Sequence, residues 1–220
     1  MNLIGLDLDG TLEDSRSDMT AAVRRVREAL GLPSRADKVI RPWVNRGMDQ
    51  LYRACFDDYL NGDDARLAEV RERYEADYFA NVARETRLYP GIADALARLA
   101  DRGRLAVITN KPERISHRLL DVLGVGKHFS AIIGGDTCAK GKPDPVVLSE
   151  AAARCGFVTG RGRVVMIGDT AADMQLGHAF GAATIWCAWG YVDQIGGTPD
   201  FVANHPDQLS DLVDKALGSN

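Results

Sequence analysis

Short apolar segments recur along the chain and predict the strands of a buried sheet. The four clearest are residues 3–8, 105–108, 164–167 and 183–186, and residues 131–133 form a weaker one. Apolar segments of this length, without alternating polar residues, are typical of parallel strands that are covered on both faces. Segments with the spacing of amphipathic helices lie between and after them, at residues 92–102, 114–123, 145–155, 171–180 and 207–217. The alternation predicts an α/β fold with a doubly wound, Rossmann-like parallel sheet.

A long segment without strand character, residues 15–87, interrupts this alternation. It is dense in Arg, Glu, Asp, Ala and Leu, and it predicts several helices in a row. The sequence Tyr89-Pro90-Gly91 marks its end, because Pro and Gly together favour a turn. We therefore expect two domains: an α/β core made of residues 1–14 and 88–220, and an inserted helical cap made of residues 15–87.

Composition places the chain among ordinary globular proteins, with 45% apolar and 26% charged residues. The formal charge of −4 has no block of like charges, which does not favour a nucleic-acid partner. The four cysteines form no C-x-x-C pair, which does not favour a zinc or thioredoxin-type site. The apolar residues at the start are interrupted by Asp7 and Asp9, unlike a signal peptide or a membrane span. We expect a cytoplasmic protein with reduced cysteines and no membrane partner.

Polar side chains follow the predicted strands at the points where the strands end. They are Asp7, Asp9 and Thr11; Thr109, Asn110 and Lys111; Asp136 and Lys140; and Asp169, Thr170 and Asp173. Because open α/β sheets bind ligands at the carboxyl ends of their strands, we expect these side chains to converge. Several carboxylates beside hydroxyls and a lysine suit a divalent cation and an anionic substrate.

Four segments carry a resemblance to a known family. Asp7-Leu8-Asp9-Gly10-Thr11-Leu12 resembles the D-x-D-G-T-[LV] signature of the haloacid dehalogenase-like hydrolase superfamily, which also follows a first strand. Ile108-Thr109-Asn110-Lys111 is similar to the family's second motif. Lys140-Gly141-Lys142-Pro143-Asp144-Pro145 resembles its lysine motif, and Gly168-Asp169-Thr170-Ala171-Ala172-Asp173 its closing G-D-x-x-x-D motif. The four segments occur in the family's order.

The resemblance implies a role for each of four aspartates. Asp7 is the expected nucleophile, which takes the phosphoryl group from the substrate. Asp9 is the expected acid and base, which protonates the leaving oxygen and later deprotonates the attacking water. A Mg²⁺ ion is expected on Asp7, Asp169 and the backbone carbonyl of Asp9, with Asp173 beside it as an occasional further ligand.

The resemblance also implies the groups that bind the phosphoryl oxygens. Thr109 and the backbone of Asn110 are expected to donate hydrogen bonds to them, and a lysine to neutralise their charge. The register of the lysine motif assigns that lysine to Lys140, although Gly141 stands where the family usually has proline. Lys142, which is directly followed by Pro143, is the alternative.

The cap is expected to close over the site and to exclude water, which favours a small metabolite over a macromolecule as substrate. Asn45-Arg46-Gly47 resembles the cap loop that faces the active site in related phosphatases, so Arg46 is a candidate substrate contact. Glu13 and Asp14 are interpreted as helix caps at the start of the insertion. Trp186 and Trp189 are interpreted as packing residues.

Within the superfamily the chain resembles the phosphoglycolate phosphatase branch. The resemblance rests on residues 88–91, 109–112, 134–136 and 189–191. We expect a Mg²⁺-dependent phosphatase that is a monomer or a weak homodimer. The alternatives are a β-phosphoglucomutase-like mutase, a pyrophosphatase, a 2-haloacid dehalogenase and a non-enzymatic receiver-type domain. The pair Asp9 and Gly10 does not favour a dehalogenase, and the helical insertion does not favour a receiver.

Overall fold

The structure of the protein is a computed structural model, and it describes residues 1–44, 46–195 and 197–218. The chain divides into two compact units. One contains Met1–Asp14 and Leu88–Asn220, and the other contains Ser15–Arg87. The division falls where the alternation of strands and helices breaks in the sequence.

The first unit is built around a six-stranded sheet in which all the strands are parallel. Its strands are β1 (Asn2–Leu6), β4 (Gly103–Ile108), β5 (Phe129–Ile133), β6 (Val164–Gly168), β7 (Ala183–Cys187) and β8 (Phe201–Ala203). Its helices are α6 (Ile92–Ala100), α7 (Glu113–Val122), α8 (Val146–Arg154), α9 (Ala171–Phe180) and α10 (Leu209–Ala216). The chain leaves and re-enters this unit through two short strands, β2 (Glu13–Asp14) and β3 (Arg87–Leu88).

The predicted α/β fold with a doubly wound parallel sheet is confirmed, and five of its strands coincide with the apolar segments of the sequence. The sixth strand, β8, was missed because its three residues are too few for an apolar pattern. The strands follow the order β5-β4-β1-β6-β7-β8. The chain builds outward from β1 through β4 to β5 and then continues on the other side of β1 with β6. The carboxyl ends of β1 and β6 therefore flank the crevice where such sheets bind ligands.

The strands are held in register by a core that the apolar segments supply. Leu3, Ile108, Ile133, Leu148 and Met166 belong to one buried cluster and come from four strands and helix α8. Burial of side chains of this size stabilises the fold by about 1.5–3 kcal/mol each. The packed sheet in turn fixes the positions of the polar residues at its carboxyl edge.

The second unit is helical, with α1 (Arg16–Ala29), α2 (Asp37–Ile40), α3 (Met48–Cys55), α4 (Asp57–Leu60) and α5 (Asp64–Ala80). Tyr52, Tyr74 and Val70 are buried between its helices, and the rings of Tyr52 and Tyr74 meet edge to face with centroids 5.3 Å apart. Single 3₁₀ turns occur at Arg41–Trp43 in this unit and at Gly126–His128 and Pro206–Gln208 in the first.

The interpretation of Glu13 and Asp14 as helix caps is wrong. Helix α1 begins at Arg16 with Ser15 as its N-cap residue, while Glu13 and Asp14 form strand β2. In the part of the chain that the structure describes, no helix is both long enough and apolar enough to cross a membrane.

Candidate active site

Three buried carboxylates meet at the crevice between β1 and β6. Asp7 follows β1, and its amide donates a hydrogen bond of 2.9 Å to the carbonyl of Ile167 in β6. Asp169 follows β6, and Asp173 lies in the first turn of α9. Carboxylate oxygens of Asp7, Asp169 and Asp173 all lie within 4.8 Å of one another. The structure thus brings together residues that lie up to 166 positions apart in the sequence.

Asp169 is held from three directions. Thr11 Oγ1 donates to its Oδ1 at 3.2 Å, and the amide of Tyr191 donates to its Oδ2 at 2.8 Å. Trp186 Nε1 donates to its backbone carbonyl at 3.0 Å. Gly10 has φ of +83°, and a Cβ atom there would lie 2.3 Å from Asp169 Oδ2. The turn after β1 therefore requires glycine both for its conformation and for its approach to this carboxylate.

Asp173 is fixed by the start of its own helix. Its Oδ2 accepts hydrogen bonds from the amide of Thr170 at 3.0 Å and from Thr170 Oγ1 at 2.6 Å. Residues Thr170 and Asp173 form a capping box, in which each side chain satisfies a backbone amide of the other residue. The other oxygen, Oδ1, faces Lys142.

The assignment of the phosphate-neutralising lysine to Lys140 is wrong in this structure. Lys140 is 74% exposed and lies 3.2 Å from Asp144. Lys142 is only 4% exposed, and its Nζ lies 2.6 Å from Asp7 Oδ1 and 2.7 Å from Asp173 Oδ1. The reason is the path of the loop, since Asn110 Oδ1 accepts a hydrogen bond of 2.9 Å from the amide of Lys142 and holds it at the crevice.

Thr109 and Asn110 lie at the carboxyl end of β4, next to β1. Thr109 is buried, its amide is bound to Ile133 in β5, and its Oγ1 accepts a hydrogen bond from the amide of Lys111 at 3.1 Å. The side chain of Asn110 binds both the amide and the carbonyl of Lys142. Asn110 thus ties the lysine loop to the strand end, a contact that the sequence did not reveal.

Asp9 stands apart from the three clustered carboxylates. Its Oδ1 lies 2.5 Å from Nζ of Lys111, and the same Nζ lies 3.7 Å from Glu13 Oε1. Lys111 and Glu13 are almost completely buried, and the side chain of Asp9 is 16% exposed. The site therefore contains two lysines in separate carboxylate environments.

The pKa values in the cluster of Asp7, Asp169, Asp173 and Lys142 indicate an excess of negative charge. Burial raises the pKa of Asp7 well above its usual value; Asp173 and Asp169 raise it further, and Lys142 opposes them. Burial and then Asp173 raise the pKa of Asp169 to about 7. Burial alone would lower the pKa of Lys142, but Asp173 and Asp7 raise it above its usual range. One lysine therefore does not balance three carboxylates.

These residues fit a divalent cation. Mg²⁺ prefers hard oxygen ligands, commonly one or two carboxylates together with waters and phosphate oxygens. Among the described residues, hydrogen bonds reach Asp7 only at Oδ1, where Leu8 N and Lys142 Nζ donate, so Oδ2 is available. Burial is the largest cause of the raised pKa values of Asp7 and Asp169, and a cation beside them would offset the repulsion by neighbouring carboxylates that raises these values further.

Arg46 belongs to the second unit. It is exposed, and its guanidinium lies 5.3 Å from the centroid of the Trp43 ring. Asn45, the first residue of the motif that drew attention to Arg46, lies outside the described residues. The role of Arg46 toward a substrate stays a prediction.

Sequence reasoning missed the tryptophans as site residues. Trp186 binds the Asp169 carbonyl, and Trp189 Nε1 donates to the carbonyl of Thr11 at 3.1 Å. They are more than packing residues because both indoles hold backbone of the site. The available signal was their position at a strand end, since Trp186 is the last residue of the predicted segment 183–186 and Trp189 follows it closely.

Comparison with known proteins agrees with this geometry. A profile of the haloacid dehalogenase-like hydrolases matches residues 4–187, so the chain belongs to this family. Phosphoglycolate phosphatase of Nitrosococcus oceani is 32% identical over 220 residues, covering 97% of both chains. The Pseudomonas putida phosphoglycolate phosphatase is 38% identical over 193 residues, covering 86% of this chain and 70% of the relative. The enzyme is accordingly a phosphatase-type hydrolase.

Solved structures show the same fold. A predicted phosphoglycolate phosphatase from Haemophilus somnus superposes with a TM-score of 0.80 at 24% identity, covering 96% of this chain and 97% of the other. A haloacid dehalogenase-like family hydrolase from Streptococcus pneumoniae superposes with a TM-score of 0.78 at 24% identity and the same coverage. The family membership does not support the receiver-type alternative.

Proposed function

We propose that the enzyme is a Mg²⁺-dependent phosphatase that hydrolyses a small phosphorylated metabolite through an aspartyl-phosphate on Asp7, with 2-phosphoglycolate as the favoured substrate. The observation that carries the proposal is the buried contact of Asp7 with Lys142 beside Asp169 and Asp173. The substrate preference is supported by relatives that are phosphoglycolate phosphatases and that align with most of this chain.

In the first step, Asp7 Oδ2 attacks phosphorus. A bond forms between Oδ2 and phosphorus, and the bond from phosphorus to the leaving oxygen breaks. Asp9 gives its proton to that oxygen, so that an alcohol leaves rather than an alkoxide. Lys142 remains in contact with Asp7, and its positive charge attracts the phosphoryl oxygens. Thr109 and the Asn110 backbone donate hydrogen bonds to the same oxygens.

In the second step, water attacks phosphorus and Asp9 takes its proton. The bond between phosphorus and Asp7 breaks, which releases inorganic phosphate and restores the free carboxylate. Asp7 and Asp169 would hold the Mg²⁺, with Asp173 beside them and the backbone carbonyl of Asp9 as a further ligand. When bound, the ion supplies positive charge to the transferring phosphoryl group.

The surroundings of the reaction are part of the proposal. We expect the substrate to be a metabolite rather than a nucleic acid or a membrane, and the enzyme to be a monomer or a weak homodimer. We also place it in the cytoplasm, where its four cysteines, all free in the structure, would stay reduced.

The test is a screen of the purified protein with Mg²⁺ against phosphorylated metabolites that include 2-phosphoglycolate, pyrophosphate and β-glucose 1-phosphate. We expect 2-phosphoglycolate to give the highest kcat/KM, EDTA to abolish turnover, and Mg²⁺ to restore it. Asp7→Asn should remove turnover and keep the fold, and beryllium fluoride should bind at Asp7 in crystals. Full activity in thorough chelator, or in Asp7→Asn, would contradict the mechanism. A higher kcat/KM for pyrophosphate would replace 2-phosphoglycolate as the proposed substrate. Isomerisation of β-glucose 1-phosphate would replace it with a phosphosugar.

A further inference from the structure

A second charge cluster lies beside the proposed nucleophile, and two of its three residues, Lys111 and Glu13, have no part in the steps above. It consists of Lys111, Asp9 and Glu13, which we call the Lys111 cluster. Nζ of Lys111 lies 2.5 Å from Asp9 Oδ1 and 3.7 Å from Glu13 Oε1. The side chain of Lys111 is 1% exposed and that of Glu13 is 0% exposed, so neither is a solvated surface charge.

The backbone brings these three residues together independently of their side chains. After β1 the chain turns back, the amide of Gly10 donates to the carbonyl of Glu13 at 2.9 Å, and Asp9 and Glu13 form a β-bridge. Lys111 arrives from the end of β4. Its amide is bound by Thr109 Oγ1, and its carbonyl accepts a hydrogen bond of 2.9 Å from Gly135.

The loop that carries Lys111 is held by close packing. A Cβ atom on Gly135 would lie 2.4 Å from the carbonyl oxygen of Asn110. Only glycine therefore allows the segment after β5 to approach the Asn110–Lys111 backbone at this distance. The position of Lys111 is consequently set by two strand ends and by their loops.

Burial of this cluster has an energetic cost that its position must justify. Withdrawal of a lysine and its carboxylate partners from water carries a desolvation penalty for each ion, and apolar side chains of similar volume often stabilise such places as well or better. A buried cluster of this kind therefore indicates that its charged groups are needed at these positions.

The geometry points to Lys111 as a positioning residue that, anchored by Glu13, holds the side chain of Asp9 in place to transfer its proton to the leaving-group oxygen. This inference rests on the proposed function. Asp9 lies two positions after Asp7 at the end of one strand, so both carboxylates would be drawn to the same cation. Lys111 holds Asp9 apart, and the carboxylates that cluster for a metal are Asp7, Asp169 and Asp173 among the described residues. Lys142 contacts the proposed nucleophile, Asp7, and Lys111 contacts the proposed acid, Asp9.

The inference predicts a dependence on the leaving group. A poor leaving group needs a proton as it departs, whereas nitrophenolate departs without one. Phenyl phosphate and 4-nitrophenyl phosphate form a matched pair, since neither carries a carboxylate and phenol has a pKa near that of tyrosine, about 10. The ratio kcat/KM reports the first transfer, in which Asp9 acts as the acid.

The experiment measures kcat/KM of Lys111→Met for both aryl phosphates and for 2-phosphoglycolate at saturating Mg²⁺. We expect a loss of about 10²-fold for phenyl phosphate and 2-phosphoglycolate, the usual scale for general acid catalysis, and only a few-fold loss for 4-nitrophenyl phosphate. Asp9→Asn should give the same profile. The double variant should be no worse than the single ones, because the two residues act as a unit.

Two further variants keep the test decisive if Lys111→Met folds poorly. Glu13→Gln removes the anchoring charge with little change of shape, and a smaller loss with the same leaving-group dependence is expected. Lys140→Met, which changes the exposed lysine, is the control and should leave all three ratios within about twofold, as a solvated side chain predicts.

Each other outcome overturns the inference. Equal losses on all substrates would make Lys111 a residue of the phosphate site or the fold. A loss confined to 2-phosphoglycolate would make it the cation that binds the substrate carboxylate, and no loss would make the cluster structural. Absence of ester hydrolysis by the unmodified enzyme would overturn the proposed function and the inference with it, which distinguishes the two failures.

Discussion

Lys140 and Lys142 stand two positions apart, and their environments are opposite. Lys140 is 74% exposed beside Asp144, whereas Lys142 is 4% exposed between Asp7 and Asp173. An exposed ion pair contributes little to stability, typically 0–1 kcal/mol. A buried lysine between two carboxylates cannot be removed without leaving their charges uncompensated. The two residues therefore differ in what they contribute to activity as well as in exposure.

We expect Lys142→Ala to lower kcat by about 10²-fold, the scale for removing one group that stabilises developing charge. Lys140→Ala should leave kcat within about twofold of the unmodified enzyme, since its side chain is solvated. Steady-state kinetics on 4-nitrophenyl phosphate measures both, and circular dichroism checks that both variants fold. A larger loss in Lys140→Ala would mean that the loop adopts the other register when substrate is bound.

The raised pKa of Asp169, about 7, predicts how the metal-free enzyme responds to pH. The unfolded chain releases this proton near pH 3.9, while the folded protein keeps it until about pH 7. Between these values the folded state binds more protons, so the free energy of unfolding should fall as pH rises through this window. The raised pKa of Asp7 acts in the same direction.

Chemical denaturation in EDTA at pH 6 and pH 8 tests this expectation. The metal-free enzyme should be less stable at pH 8, and Asp169→Asn should reduce the difference, because an amide has no proton to release. Mg²⁺ should stabilise more at pH 8 than at pH 6, since protons compete with it. The same pH dependence in Asp169→Asn would assign the effect to other groups.

Arg27 is a buried side chain that joins helix α1 to the segments that follow it. Arg27 is 1% exposed and makes two hydrogen bonds with the carboxylate of Asp58, at 2.8 and 2.6 Å. It also donates to the carbonyls of Pro33 and Cys55. Four backbone and side-chain acceptors thus depend on one guanidinium, whose planar shape matches them.

We expect Arg27→Met to destabilise the second unit by about 2 kcal/mol, the scale for hydrogen bonds to a charged group, because the buried carbonyl of Cys55 and the half-exposed carboxylate of Asp58 lose their donor. Arg24→Met is the matched control on the same helix, since the pair of Arg24 with Asp37 is 45% and 47% exposed and should contribute less than about 1 kcal/mol. Urea denaturation measures both. Equal effects would contradict the importance of burial.

The two units carry different kinds of residues. The predicted phosphoryl-binding residues, among them Asp7, Thr109 and Lys142, all lie in the first unit, within Met1–Asp14 and Leu88–Asn220. Every phosphate ester shares the phosphoryl group, so these residues cannot distinguish one leaving group from another. We propose that the second unit, Ser15–Arg87, supplies that distinction as a cap, with Arg46 as the cation for an anionic leaving group such as glycolate.

Arg46→Ala should lower kcat/KM for 2-phosphoglycolate about ten- to a hundredfold, which corresponds to the loss of one charge-assisted hydrogen bond of about 1.5–3 kcal/mol. Hydrolysis of 4-nitrophenyl phosphate should hardly change, because its leaving group needs no cation. Arg41→Ala, another exposed arginine of the same unit, is the control. Equal losses on both substrates would assign Arg46 to the fold or the phosphate site.

The sequence by itself determined the fold class, five strands and the identity of the clustered aspartates. The apolar segments and helical periods that specify these elements are local, and Asp7 and Asp169 stand directly after two of the segments. Their meeting follows from a general property of parallel sheets, whose carboxyl ends share one edge. The motif resemblance then implied a chemistry for those positions.

Only the tertiary structure decided which lysine meets Asp7, and that Lys111 meets Asp9 and Glu13. Lys140 and Lys142 both belong to the lysine motif of the sequence, but no local pattern shows which of them contacts Asp7. The choice depends on Asn110, 32 positions away, which binds the lysine loop. Contacts between distant loops depend on strand order and on close packing at positions such as Gly135, and these are properties of the assembled sheet rather than of any one segment.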